Sequence, residues 1–104
     1  MAAEPDAFEL LHPEARAELR AAVLWYREHS ANAIAFVADV ARAIEGLALS
    51  PGRWPVLRNV TPLTRYRVLL TCPYTIFYRP VGDSILVVAV AHQSREPLYW
   101  SHRH

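Results

Sequence analysis

Apolar residues recur at two different periods along this chain of 104 residues, and the change of period divides it. Ala15, Leu19, Ala22, Val23 and Tyr26 fall at helical spacing. Pro13 suits the first turn of a helix, where its missing N–H costs nothing, and Glu14 favours the same end through the helix dipole. His12, which precedes a proline, should be extended. These signals predict a helix over 13–28. Ser30 or Asn32 can cap a second helix. In it Val37, Val40, Ala41, Ile44 and Leu47 form an apolar stripe, and Ser50-Pro51-Gly52 ends it. A connection of three or four residues predicts that the two helices fold into an antiparallel hairpin. Upstream, residues 8–11 (FELL) alternate weakly and read as a short first strand.

Residues 51–64 (PGRWPVLRNVTPLT) hold three prolines and one glycine. They read as a loop, with Trp54 as its anchor on the core. Beyond them the period drops to two, and strands are predicted over 65–70, 74–79 and 85–92. Cys72-Pro73 makes the first connection tight, and Pro80-Val81-Gly82-Asp83 makes the second a hairpin turn. In the middle strand Tyr74, Ile76 and Tyr78 share one face, and Thr75, Phe77 and Arg79 the other. In the last strand Ile85, Val87, Ala89 and Ala91 oppose Leu86, Val88, Val90 and His92. That strand is apolar on both faces, which predicts a central place in the sheet. The expected fold is α+β, one domain over 1–104. It comprises an N-terminal short strand, an antiparallel helix hairpin and a three-stranded antiparallel meander. The helices cover one face of the sheet; the other face is partly open, with the arginines around it.

Composition adds limits. At 53% hydrophobic and 20% charged residues the chain is too apolar to be disordered. A single cysteine, Cys72, excludes an internal disulfide and a cysteine-based zinc cluster. No stretch approaches the roughly 18 apolar residues of a membrane span, and the acids near the N-terminus do not suit a signal peptide. A soluble, cytoplasmic protein without cofactor or metal is expected. The net charge of +1 conceals an asymmetry. Residues 1–52 hold four arginines and eight acids, whereas 53–104 hold seven arginines and two acids. This predicts a basic face built from the C-terminal half, suited to nucleic acid or to an acidic protein segment.

The stretch AVAHQSREPLYW, residues 89–100, ends the last strand with His92, Arg95, Tyr99 and Trp100 close together. Metal-free RNA cleavage needs a base for the 2′-hydroxyl, an acid for the leaving oxygen and fixed positive charge on the phosphorane. His92 suits base or acid work, Tyr99 is a candidate acid, and Arg67 and Arg95 can clamp phosphate. The same His92 also reads as a strand-end histidine bonded to backbone, and Trp54 and Trp100 as lids on the core. His102 and His104 are two apart on the tail, and Cys72 reads as structural. Arg65 and Arg67 alternate in step and share a strand face. With Arg79 and Arg95 they are candidates for binding an acidic, apolar peptide that adds a strand or lies in a groove on the open side of the sheet.

The order of these pieces resembles the RelE/ParE family of bacterial toxins from type II toxin–antitoxin systems, over about 90 residues. The markers are FELLHPEARAEL, the WY at 25 and 26, AFVADVARAIEGLALSP, GRWPVL, RYRVLLTCPYTIFYR and AVAHQSREPLYW. The likeness is nearest to the ParE-like plasmid-stabilisation branch. It implies a growth-inhibiting toxin, without metal or cofactor, held inactive by a cognate antitoxin. It also implies one of two targets: DNA gyrase for ParE-like members, or messenger RNA on the ribosome for RelE-like members, which cut it. A member that has kept the fold and lost toxicity is a further alternative. The chain has no lysine, and Thr71 stands where a RelE-like toxin would place an arginine; both favour the gyrase branch.

Overall fold

The computed structural model describes residues 5–104. The chain runs through a 3₁₀ turn at Asp6–Leu10, helices α1 (Pro13–His29) and α2 (Ala33–Leu49), and strands β1 (Arg65–Val68), β2 (Tyr74–Val81) and β3 (Ser84–His92). The sheet is antiparallel, in the order β1-β2-β3. The α+β class, the helix hairpin and the meander are therefore as the sequence predicts. His12 is extended at the N-cap of α1, and its Nδ1 accepts the N–H of Glu14 at 3.1 Å. Asn32 caps α2 without a side-chain bond, while Ser30 Oγ accepts the N–H of Asn32 at 3.2 Å. Gly82 opens the β2–β3 turn with φ +56°, a conformation glycine adopts without steric cost.

Three expectations need correction. The FELL segment is not a strand: Asp6–Leu10 is a 3₁₀ turn, and only Leu11 bridges, in parallel, to Val87. Phe8 and Leu11 are instead buried in the core as isolated anchors. Second, β3 lies at an edge and β2 at the centre. Third, β3 does not alternate strictly. A bulge opposite Phe77 and Tyr78 pairs Phe77 with Ala89 and Tyr78 with Val87, so Val88 is the extra residue. Ile85, Val87 and Val90 enter the main core under the helices, while Val88, Ala89 and Ala91 enter a second one.

That second core explains why an edge strand is apolar on both faces. Trp100, 1% exposed, lies on the side of the sheet away from the helices and stacks on Phe77 at 4.6 Å. Leu57 and Val60 of the 51–64 loop pack with it. The face expected to be partly open is thus roofed by the C-terminal tail and the loop. The main core takes Ala15, Leu19 and Ala22 from α1, Phe36, Val40, Ile44 and Leu47 from α2, and Ile76 and Tyr78 from β2. Trp54 packs against it, and Tyr78 donates its hydroxyl to Pro51 O at 2.6 Å, which pins the loop.

Candidate functional site

His92, Arg95 and Tyr99 come together at one corner, where the end of β3 meets the tail, and line a cavity of about 220 Å³. The Arg95 guanidinium lies 4.0 Å over the Tyr99 ring. His92 Nδ1 accepts the Ser94 N–H at 3.0 Å and faces Ser94 Oγ at 2.7 Å. A ring nitrogen that accepts a backbone N–H carries no proton, so the ring proton sits on Nε2. For Nε2 to act as a base, that proton would have to move to Nδ1, against the Ser94 N–H. His92 is therefore held as a donor at Nε2, with its ring edge-on to Tyr74 at 5.2 Å.

Tyr99 is committed elsewhere. Its hydroxyl donates to Glu18 Oε2 in a short bond. Burial pushes the phenol far above its usual range, and the hydrogen bond and charge of Glu18 push it further. Glu18, on α1, is the centre of a network. Its Oε1 accepts the Val90 N–H at 3.2 Å and Arg103 Nη1 at 2.8 Å. Arg103, 8% exposed, also donates to Val88 O at 2.9 Å. Arg103 Nε lies 2.7 Å from Glu14 Oε2, an ion pair out of line for a hydrogen bond. His102 Nε2 sits 3.7 Å from the same Glu14 carboxylate. Among the described residues no group of three or more His, Cys, Asp or Glu is placed to hold a metal ion.

The four arginines singled out as partner contacts do not form one surface. Arg79 is 5% exposed; its guanidinium donates to Thr64 Oγ1 at 3.2 Å, to Ser101 O at 3.3 Å and, in a short bond, to Arg103 O. It ties the tail down and faces no partner. Arg65 and Arg67 lie on the helix side of the sheet, not around the opposite face. Arg65 donates to Trp54 O at 2.5 Å, and Arg67 to Ala43 O of α2 at 3.1 Å. Arg67 also stacks over Trp54 at 4.3 Å, two strands away from His92, a spacing of about 10 Å. Burial lowers the proton affinity of Arg67, and Arg53 lowers it further. Trp54 Nε1, beside them, is buried and has no hydrogen-bond acceptor among the described residues. Arg95 alone of the four is well exposed.

A different surface stands out on the outer side of the hairpin. Leu19, Val23 and Leu24 of α1 and Ile34, Val37 and Ala38 of α2 wall an apolar groove of about 680 Å³. Phe8 closes one end, and Arg16, Arg20 and Arg27 rim it. Arg16 Nη2 donates to Phe8 O at 2.6 Å, which joins α1 to the 3₁₀ turn. Ile34 is 87% exposed and Leu24 54%. Such a patch on a small domain marks an interaction surface. The sequence carried a signal for it: Leu24 falls outside the α1 stripe, and α2 is interrupted only by Asp39, Arg42 and Glu45. A helix apolar nearly all round wants cover on more than one side. Glu14, Glu18 and Arg103 had no such signal, because they meet only in the fold.

Among the described residues no helix is long and apolar enough to cross a membrane. No curated protein and no solved structure matches the chain. A family model described as the ParE toxin of the type II toxin–antitoxin system, parDE, matches residues 10–97, which span both helices, the loop, the whole sheet and the corner at His92 and Arg95. On that match, with the helix hairpin and meander beneath it, the chain belongs to the ParE toxin family of type II toxin–antitoxin systems.

Proposed function

We propose that this ParE-family chain arrests bacterial growth in the cytoplasm by binding DNA gyrase, without cutting RNA. A cognate antitoxin neutralises it by laying an acidic, amphipathic helix in the groove between α1 and α2. The observation that carries the choice of binding over cleavage is the engaged state of three of the four nuclease candidates, Arg95 being the exposed one. The Tyr99 proton is held by Glu18, the His92 lone pair is turned to Ser94, and Arg67 is bound to α2 on another strand. An RNA phosphate needs all four around one atom. The antitoxin half of the reading is supported by the groove. Its walls offer apolar seats at helical spacing on both sides, and its arginine rim favours carboxylates on the visitor.

The test is induced expression in bacteria, following plasmid supercoiling and messenger RNA integrity together, with and without the antitoxin gene. Arrest with altered supercoiling and intact RNA is expected. Ribosome-dependent cuts, lost in His92→Ala, would overturn the binding mechanism. Ile34→Asp places a charge in the groove at an exposed site, so the fold should survive. It should leave toxicity intact while the antitoxin no longer rescues growth, with affinity lowered at least 30-fold, since a desolvated charge costs about 2 kcal/mol or more.

A further inference from the structure

We propose that Trp25 and Glu28, on the flank of α1 away from the groove, form a seat for a basic side chain of the protein this chain acts on. This rests on the binding mechanism proposed above and concerns a surface that the antitoxin groove does not use. At 3.6 residues per turn, Glu14, Glu18, Ala21, Trp25 and Glu28 fall within about 80° of one another on α1. Arg16, Arg20 and Arg27, which rim the groove, fall on the opposite side. Between the two flanks lies the stripe of Ala15, Leu19 and Ala22 that enters the core. Helix α1 thus presents two faces of opposite charge. An acidic helix suited to the arginine rim is repelled by the other face, which is left to a partner of the opposite sign.

The chain itself holds a guanidinium on this flank. Near the start of α1, Arg103 lies 5.3 Å over the Tyr99 ring and pairs with the carboxylates of Glu14 and Glu18. Ring face and carboxylate both attract the cation. About two turns further along, Trp25 and Glu28 offer the same pair of groups, three residues apart and so neighbours on the helix surface. Here the seat is empty: Trp25 is 54% exposed, and Glu28 is exposed and has no ion pair among the described residues. The indole is nevertheless fixed in place. Tyr26 turns inward, stacks on Phe36 at 4.4 Å and meets the Trp25 ring edge-on at 5.4 Å. His29 stacks on Trp25 at 4.6 Å, and its Nδ1–H donates to Trp25 O at 2.9 Å. A tryptophan held this way loses little freedom on binding, which suits the anchor of an interface. An enzyme that handles DNA presents lysine and arginine to the phosphates, so gyrase offers the matching charge.

The test is binding of the full chain to purified gyrase, with growth arrest and antitoxin binding measured in parallel. Trp25→Ala and Glu28→Lys alter exposed side chains, so both should fold and bind the antitoxin as the parent chain does. Each should raise Kd for gyrase at least tenfold and weaken arrest. The effect of Glu28→Lys should shrink as salt rises, and Trp25→Phe, which keeps a ring, should retain most of the affinity. Parent-like gyrase affinity and arrest in both variants would overturn the seat and leave the gyrase reading standing. Loss of antitoxin binding in either variant would assign the flank to the antitoxin and overturn the seat too. If the parent chain does not bind gyrase, that reading falls and arrest decides the seat: loss of arrest in both variants upholds it for another target, and full arrest overturns it. A parent chain that arrests nothing removes both.

Discussion

The two edges of the sheet are finished in opposite ways. Along β3 the outward groups are met one after another: Val87 O accepts the His12 N–H, Val88 O accepts Arg103, and Val90 N–H donates to Glu18. Charged side chains from α1 and the tail close that edge, and they neutralise each other as they do so. Along β1 the loop meets the first outward groups and then leaves, and among the described residues the cations beside the remainder have no acidic partner. An open edge invites pairing with any other strand, which most domains suppress. Here one edge is suppressed by a buried ionic network, and the other is guarded only by positive charge.

The sharpest way to break the comparison is to remove the closure. Trp100→Ala empties a fully buried site under the tail, and a loss of about 4 kcal/mol in unfolding free energy is expected from denaturant titration. Glu18→Ala should cost about 3 kcal/mol, since it leaves Arg103 with only the half-exposed Glu14 carboxylate and bares the Val90 N–H and the Tyr99 hydroxyl. It should also release the tail, read as faster amide exchange at Val90. A loss below about 1 kcal/mol would mean that the network does not hold the edge shut.

Alkaline pH tests the same closure without mutation. Burial raises the phenols of Tyr26, Tyr74, Tyr78 and Tyr99 above their ordinary 10.0, and Glu18 adds to the effect at Tyr99. In the unfolded chain these groups lose protons near pH 10, while in the folded chain they keep them. Their contribution is thus fully present below pH 10 and is lost as the pH rises beyond it. Unfolding free energy measured between pH 9 and 11.5 should fall above 10, and less steeply in Tyr99→Phe. An unchanged slope in that variant would show that Glu18 does not hold the Tyr99 proton.

How much of this could be read from the chain itself depends on range. The helix limits followed from Pro13, the apolar stripes and Ser50-Pro51-Gly52, all local signals, and they were legible. The helix-facing side of β2 followed from strict alternation, and Tyr74, Ile76 and Tyr78 do lie there. What failed was set at a distance. The bulge at Val88 leaves no mark in a run of valines and alanines, so the faces of β3 could not be assigned beyond it. The apolar content of β3 reflected a roof supplied by Trp100, some ten residues on, and not a central position. At the site, the corner of His92, Arg95 and Tyr99 was legible because its residues are close in sequence. Its engagement by Glu18 was not, since that partner lies 81 positions away. Arg79 reads as a surface charge in sequence and is spent on three partners within the fold.

The smallest expected effect tests the open edge through a single hydrogen on α2. Gly46 sits inside a helix, where alanine ordinarily adds about 1 kcal/mol of stability. A Cβ at this position would come 3.1 Å from Arg67 Nη1, the atom that donates to Ala43 O. The guanidinium is the end of a flexible side chain and can retreat, at some cost to that bond. Gly46→Ala should therefore stabilise by only about half the ordinary amount, roughly 0.5 kcal/mol. In an Arg67→Ala background the full increment should return, and the difference between the two backgrounds is the coupling that a double-mutant cycle reads. Equal increments would mean that Arg67 is not held against the helix. The open edge would then lack a fixed cation, and only the bare backbone of Val68 would distinguish it from the closed one.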